Sequence, residues 1–186
     1  MNGAPLAEPL RANAWYTNSD IRDLVREPQG RHVSHASSYS RVAAMERHTH
    51  PLIIKAMAST PIAELIGFTI DEVGDGRAIA SFQPGPQHAN PMGTLHGGVL
   101  CDLADAAMGM AFVSTLDPDE SFTTMDLQIH FFRPVWEAQL RAEARVIQRG
   151  KNAGYIECDV LDENGKQVAK ASSRCLVLRD DAAKGR

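Results

Sequence analysis

The sequence has few cysteines, no long apolar run and no strong excess of charge of either sign. Its 186 residues include only three cysteines, Cys101, Cys158 and Cys175, each within an apolar segment. They are too few and too scattered for a disulfide framework, and this pattern is typical of small buried thiols in a reducing compartment. We therefore expect the protein to be cytoplasmic.

No apolar run approaches the roughly 20 residues that a helix needs to cross a bilayer. The N-terminal stretch MNGAPLAEPLRANAW also lacks the basic segment and apolar core of a secretory signal. The formal net charge of −4 gives no overall field that would attract nucleic acid or anionic lipid. We therefore predict neither a membrane protein nor a nucleic-acid-binding one.

Residues 1–50 differ in composition from the rest of the chain, because apolar residues are sparse there. We interpret them as an N-terminal arm that is poorly ordered or partly helical. His48 and His50 are close in sequence, but no cysteine or further spaced ligand accompanies them, so we predict no metal site and no cofactor. Residues 51–180 form the predicted folded domain, and residues 181–186 form a short tail.

The first part of the domain shows a hairpin pattern and then a helical one. Apolar residues alternate along positions 68–82 on both sides of a Gly-Asp-Gly turn, which predicts two paired strands. After Gly98, the segment VLCDLADAAMGMAFVSTL is apolar on nearly every side, interrupted by Asp102 and Asp105. A helix that is apolar all round must be enclosed by protein.

After the helix the apolar period changes to two. One predicted strand face carries Met125, Leu127, Ile129 and Phe131. Further alternating segments follow, joined mainly by hairpins and ending near Leu178. Two strands, one helix and four strand-like segments predict an α+β fold in which a long antiparallel sheet wraps around one central helix. Such a sheet leaves its edges uncovered, so we expect a homodimer or a larger assembly.

The segment NPMGTLHGGVLCDLAD, residues 90–105, carries the predicted chemistry. His96, Gly97 and Gly98 stand where a loop ends and the helix begins. Free backbone N–H groups at a helix N-terminus can polarise a carbonyl and hold an oxyanion, and glycine lets a substrate oxygen approach them closely. Asp105, two turns further along, could act as a general base or as a nucleophile.

The spacing of these groups limits how they can act together. Gly97 and Asp105 are eight residues apart, which is roughly 12 Å along a helix. Groups that flank one reacting carbon lie within about 3–3.5 Å of it. One subunit therefore cannot easily supply both groups. If the helix packs antiparallel against its copy in a dimer, each of two sites is shared between subunits.

This segment resembles the hotdog-fold thioesterases, and within them the PaaI-like acyl-CoA thioesterases. The matching residues are Asn90, His96, Gly97, Gly98 and Asp105 at their present spacings. The resemblance covers about residues 56–180. It implies a hotdog fold, hydrolysis of an acyl-CoA without a metal or organic cofactor, and a homodimer that assembles to a homotetramer.

The resemblance also implies a role for each residue. The Gly97 N–H polarises the thioester carbonyl, and Asp105 is the catalytic aspartate. Asn90 and His96 complete the site, with His96 usually in a supporting role and Gly98 on the substrate-binding side. Family members place a serine or threonine at the start of the following strand, where Thr124 is the nearest match.

The assignment of that threonine is less direct. Simple alternation places Thr124 with Asp126 and Gln128 on the polar strand face, away from Leu127. Thr123 is therefore its rival for the same position at the substrate.

Several residues have an alternative structural interpretation. Asn90 either touches the thioester or fixes the loop. His96 could instead be a general base that activates Cys101 as the nucleophile. Five helical positions, however, turn the two side chains about 140° away from each other, which favours a loop-holding role for His96. Asp102, one turn before Asp105, serves as an internal comparison and is expected to make a structural hydrogen bond or to lie at the dimer seam.

Competing interpretations also exist for the whole chain. Arg149, Lys151 and Arg174 could meet the phosphates of coenzyme A or could be solvated strand ends. A non-catalytic acyl-CoA or lipid-binding module would use the same fold but would not need the glycines and Asp105 together. A dehydratase or hydratase would need a histidine paired with an acid on the acyl chain, and no such pair is evident. Fold alone does not separate these functions.

Overall fold

The computed structural model of the protein describes residues 50–184. The predicted N-terminal arm, apart from His50, and the last two residues of the predicted tail lie outside the described residues. Within residues 50–184, no helix is both long enough and apolar enough to cross a membrane.

Two short helices lead into the sheet. Helix α1 spans Pro51–Ala58 and helix α2 spans Pro61–Ile66. Each begins with proline, whose missing N–H costs no hydrogen bond in the first turn. His50 caps α1, because its Nδ1 accepts a hydrogen bond from the Leu52 N–H at 3.2 Å and its Nε2 lies 3.2 Å from the Glu120 carbonyl oxygen. His50 is buried and therefore belongs to the domain rather than to a solvated arm.

Six antiparallel strands form one sheet in the order β1-β2-β4-β5-β6-β3. The strands are β1 (Phe68–Gly74), β2 (Arg77–Phe82), β3 (Ser121–Phe131), β4 (Leu140–Arg149), β5 (Ala153–Asp162) and β6 (Gln167–Leu178). Helix α3, Gly97–Val113, packs against all six of them. The predicted order of two strands, one helix and four strands is confirmed, and β1 and β3 are the edges of the sheet.

The hairpin between β1 and β2 shows how the sequence determines a turn. Asp75 and Gly76 both adopt positive φ, at 50° and 73°. Two-residue hairpins that join twisted strands need this conformation, which glycine and aspartate adopt more readily than most residues.

Helix α3 is the centre of the core, as its all-apolar sequence predicts. Its fully buried side chains are Leu103, Ala104, Ala107, Met108, Ala111, Phe112 and Val113. From the sheet, Ala80, Leu140, Ala142, Ile156, Cys158 and Val160 meet them. Burying this much apolar surface stabilises the fold, at roughly 25 cal/mol per Å² removed from water.

The predicted face of β3 is wrong at one residue. A register shift lies between Thr124 and Asp126, and Met125 is 55% exposed. The shift marks a β-bulge, in which one extra residue reverses the alternation of side chains. Thr124 therefore lies on the same face as Leu127, towards α3, although simple alternation places it on the polar face. The bulge thus brings a hydroxyl to the helix.

Candidate active site

The loop before α3 is held by the side chain of Asn90. Its Oδ1 accepts hydrogen bonds from the Met92 N–H at 2.9 Å and the Thr94 N–H at 3.2 Å. Its Nδ2 donates to the Thr94 Oγ1 at 2.8 Å, and the backbone N–H of Asn90 donates to the Thr94 carbonyl at 2.7 Å. Of the two interpretations of Asn90, these contacts match the fixing of the loop.

His96 is the N-cap residue of α3. Its Nδ1 accepts a hydrogen bond from the Gly98 N–H at 2.9 Å, and its own backbone N–H donates to the His88 carbonyl at 2.9 Å. The side chain therefore fixes the first turn of the helix, which agrees with the predicted loop-holding role. Cys101 is half-buried, and burial together with Asp102 and Asp105 raises the pKa of its thiol, which disfavours a thiolate nucleophile.

Gly97 is the first residue of α3, and its N–H is available to a ligand. Within residues 50–184 this N–H donates no hydrogen bond, whereas the Gly98 N–H is taken by His96. The helix dipole concentrates partial positive charge at this end. Among the described residues, the Gly97 N–H is thus an oriented donor without an acceptor at the helix start.

A cleft of about 380 Å³ opens beside that donor. One wall consists of Asn90, Thr94, Leu95, Gly97 and Leu100, and the other of residues 131–135. A Cβ atom on Gly97 would lie 2.9 Å from the Phe131 Cζ, so only glycine lets the ring lie this close to the helix.

The wall formed by residues 131–135 was not predicted to be part of the site. Its signal in the sequence is Phe132 and Arg133 directly after a strand that ends in Phe131, where a polar turn is usual.

Asp105 lies half-buried in the middle of α3. The Thr124 hydroxyl donates to its Oδ1 in a long hydrogen bond of 3.4 Å. Burial raises the pKa of Asp105, the hydrogen bond from Thr124 partly lowers it, and the charge of Asp102 raises it further. The carboxylate is consequently a stronger base than an ordinary aspartate. Thr123, one residue earlier on the strand, points to the opposite face.

Asp102 differs from Asp105 although the two share a helix. It is exposed, and within residues 50–184 its carboxylate makes no hydrogen bond. The structural hydrogen bond predicted for it does not form among these residues, and its place at a dimer seam stays a prediction. Partial desolvation raises its pKa too, without a positioning partner.

The site residues fall into two groups on one chain. Asn90, His96 and Gly97 meet at the start of α3, while Asp105 and Thr124 meet about 12 Å further along the helix axis. Because α3 is continuous from Gly97 to Val113, no bend brings the groups together.

The basic residues considered for phosphate binding have other contacts. Arg149 pairs with Glu120 at 3.5 Å, and Arg174 pairs with Asp126 across the strands. Lys151 is exposed beside the β4–β5 turn. Within residues 50–184, no three His, Cys, Asp or Glu side chains lie together as metal ligands do.

Comparisons with known proteins agree with this architecture. Residues 92–169 match the family model described as the thioesterase superfamily. The chain is 28% identical over 116 residues to the 1,4-dihydroxy-2-naphthoyl-CoA hydrolase of Listeria monocytogenes, an alignment that covers 62% of this chain and 93% of the relative. It is 26% identical over 122 residues to human acyl-coenzyme A thioesterase 13, with 63% and 86% covered.

Two solved structures have a similar fold. A conserved protein of Pseudomonas aeruginosa is 30% identical and superposes with a TM-score of 0.63, covering 67% of this chain and 98% of that one. The PaaI protein of Escherichia coli, at 22% identity, shares the fold with a TM-score of 0.62 over 79% of this chain and 98% of its own. The predicted hotdog fold is therefore confirmed, and the chain belongs to the thioesterase superfamily as a thioester hydrolase.

Proposed function

We propose that this protein hydrolyses acyl-CoA thioesters at a site shared by two subunits. The observation that carries the proposal is the free Gly97 N–H, which points from the start of a buried helix beside a cleft of about 380 Å³. A thioester carbonyl placed there would accept a hydrogen bond from an N–H at the positive end of the helix dipole. Such a donor stabilises the oxyanion more than the carbonyl, because charge develops on the oxygen during attack.

Asp105 supplies the second part of the reaction. As a general base it removes a proton from water while the water oxygen attacks the carbonyl carbon; as a nucleophile it attacks that carbon itself. In either case the carbon–sulfur bond breaks and the thiol leaves with a proton. With a general base, water supplies the second oxygen of the free acid directly; with a nucleophile, a mixed anhydride with Asp105 forms, and water then hydrolyses it at the aspartyl carbon. The raised pKa of Asp105 favours proton removal, because a stronger base accepts the proton more readily.

The distance between the two groups supports a homodimer. Gly97 and Asp105 of one chain lie about 12 Å apart along α3, too far to flank one carbon. An antiparallel copy of α3 would place Asp105 of the partner subunit near Gly97. Edge strand β3, with the exposed Met125 and Phe131, is one surface that such a copy would cover. Further assembly into a homotetramer stays a prediction.

Two relatives support coenzyme A as the thiol, because their names specify coenzyme A thioesters. The proposed reaction uses only water and groups of the chain.

The test compares two acids on one helix. Asp105→Asn should lower kcat for thiol release from a panel of acyl-CoAs by about 10³-fold, since a positioned base contributes 10²–10⁴-fold. Asp102→Asn is the matched control and should leave kcat nearly unchanged. Thermal melting and oligomer size should match the wild type for both variants. Full activity of Asp105→Asn in an intact assembly would refute the proposed mechanism.

A single turnover in oxygen-18 water separates the two roles of Asp105. A general base directs the label into the released acid, whereas a nucleophile takes the label into its own carboxylate first.

A further inference from the structure

The cleft beside Gly97 contains one charged group. Of the described residues that line it, Arg133 alone carries a charge, and the others are apolar or neutral. Arg133 lies on the wall opposite the loop of Asn90, two residues beyond Phe131, whose ring lies against Gly97. A cation without a neighbouring acid in the same cleft is suited to an anionic group of a ligand.

Arg133 differs from three other arginines of the domain. Within residues 50–184 its guanidinium has no ion pair or hydrogen bond, although Arg149, Arg174 and Arg179 are each paired with an acid. Those three arginines are neutralised inside the fold. Arg133 is exposed and keeps its full set of donors for a ligand.

The backbone around Arg133 is held in place. The Phe132 and Arg133 N–H groups both donate to the Val168 carbonyl, at 2.9 and 3.3 Å, and the Leu95 N–H donates to the Val135 carbonyl at 2.7 Å. This wall is therefore tied to β6 on one side and to the loop before α3 on the other.

The position of Arg133 sets it apart from the carbonyl site. Arg133 lies two residues beyond Phe131, at most roughly 7 Å along the chain. An anion bound by Arg133 and a carbonyl bound by the Gly97 N–H would be different groups of the same ligand.

We infer that Arg133 binds a phosphate group of the coenzyme A arm, which fixes the thiol side of the substrate along the wall of residues 131–135. This inference rests on the proposed function. A guanidinium suits phosphate because two of its N–H groups can donate in parallel to two phosphate oxygens. The inference places the phosphate contact at Arg133 instead of Arg149 or Arg174, because the latter two form ion pairs with Glu120 and Asp126.

The test uses one acyl group on three thiols: coenzyme A, phosphopantetheine and pantetheine, which carry decreasing numbers of phosphates. Arg133→Ala should raise KM for the acyl-CoA about tenfold and leave kcat unchanged, because a charge-assisted contact to a remote group affects binding rather than chemistry. KM for the acyl-pantetheine should not change. The wild-type KM for the acyl-CoA should also rise with salt, and that of Arg133→Ala should rise less.

Two control variants define the effect. Arg133→Lys keeps the charge and should recover part of the affinity. Arg77→Ala removes another exposed arginine, at the β1–β2 turn, which has no ion pair within the described residues, and it should leave KM unchanged. Parallel changes of KM for acyl-CoA and acyl-pantetheine, or no change for either, would overturn the assignment. A defect confined to acyl groups that carry a carboxylate would overturn it too, because Arg133 would then bind the acyl side.

Binding of free coenzyme A separates this inference from the proposed function. Calorimetric titration should show about tenfold weaker coenzyme A binding by Arg133→Ala than by the wild type. If the wild type binds coenzyme A through Arg133 yet hydrolyses no acyl-CoA, the proposed function fails and the phosphate site stands. If the wild type hydrolyses acyl-CoA and Arg133→Ala is indistinguishable from it in both assays, the phosphate site fails alone.

Discussion

The two ends of the segment from Asn90 to Asp105 differ in how their polar groups are satisfied. At the loop end, Asn90 and His96 direct their side-chain hydrogen bonds back to the local chain, and the Gly97 N–H has no acceptor within residues 50–184. At the helix end, the Asp105 carboxylate lies half-buried with one long hydrogen bond, from Thr124. The hydrogen bonds at the loop end therefore fix the orientation of the Gly97 N–H, whereas the helix end keeps the Asp105 carboxylate partly away from solvent.

Under the proposed function, this difference separates two kinds of contribution to catalysis. A group at the loop end should affect the reaction through geometry, because its loss misplaces the free donor. A group at the helix end should affect it through proton affinity, because burial and hydrogen bonding determine when the carboxylate is charged. The following variants test the two ends separately.

Gly97→Ala should give the largest effect at the loop end. Its methyl group would meet the Phe131 ring at 2.9 Å, and the ring would have to move into the cleft. The N–H is kept, but the approach to it is altered, so kcat/KM should fall about 100-fold. Thermal melting checks the fold. Activity within a few-fold of the wild type would show that the position of the Phe131 ring does not control access to the Gly97 N–H.

Asn90→Ala should give an intermediate effect. Three side-chain hydrogen bonds that hold the loop are lost, so kcat/KM should fall about tenfold and the free energy of unfolding by about 1–2 kcal/mol. Steady-state kinetics and urea unfolding measure the two losses. Asn164→Ala, in the β5–β6 turn, is the matched control and should leave activity unchanged. A loss of activity in Asn90→Ala that mild stabilising conditions cannot reduce would instead indicate direct contact with the substrate.

Thr124→Val should give the smallest effect, and it should depend on pH. The hydrogen bond from Thr124 lowers the pKa of Asp105, so its removal should raise that pKa further. Because the proposed mechanism needs Asp105 as a carboxylate, the acid limb of the pH–kcat profile should move to higher pH, with a loss of about three-fold near neutrality. Thr123→Val, which changes the opposite strand face, should leave the profile in place. An unmoved acid limb in Thr124→Val would remove Thr124 from the site.

Much of the fold could be predicted because its signals are local. Apolar residues first alternate with polar ones, then form a nearly all-apolar segment, and then alternate again. This pattern gives the order of the strands and the enclosed helix. The glycines at the start of α3 could likewise be placed, because a loop that precedes a helical run determines where free N–H groups point.

The remainder depends on contacts that the sequence does not mark. The bulge at Met125 has no glycine or proline to indicate it, and it alone turns Thr124 towards Asp105. The difference between the Gly97 and Gly98 N–H groups depends on the position of the His96 ring. The second wall of the cleft, with Arg133, exists only because the end of β3 returns beside the start of α3.

The central claim is that each site takes Gly97 from one subunit and Asp105 of the partner subunit. Gly97→Ala and Asp105→Asn chains with different affinity tags can be co-expressed and the hybrid dimers purified through both tags. A shared site predicts about half of the wild-type activity in these hybrids, because one of the two sites then has both residues intact. If each subunit supplied a complete site alone, the hybrids would be as inactive as the two parent variants, and that result would contradict the account.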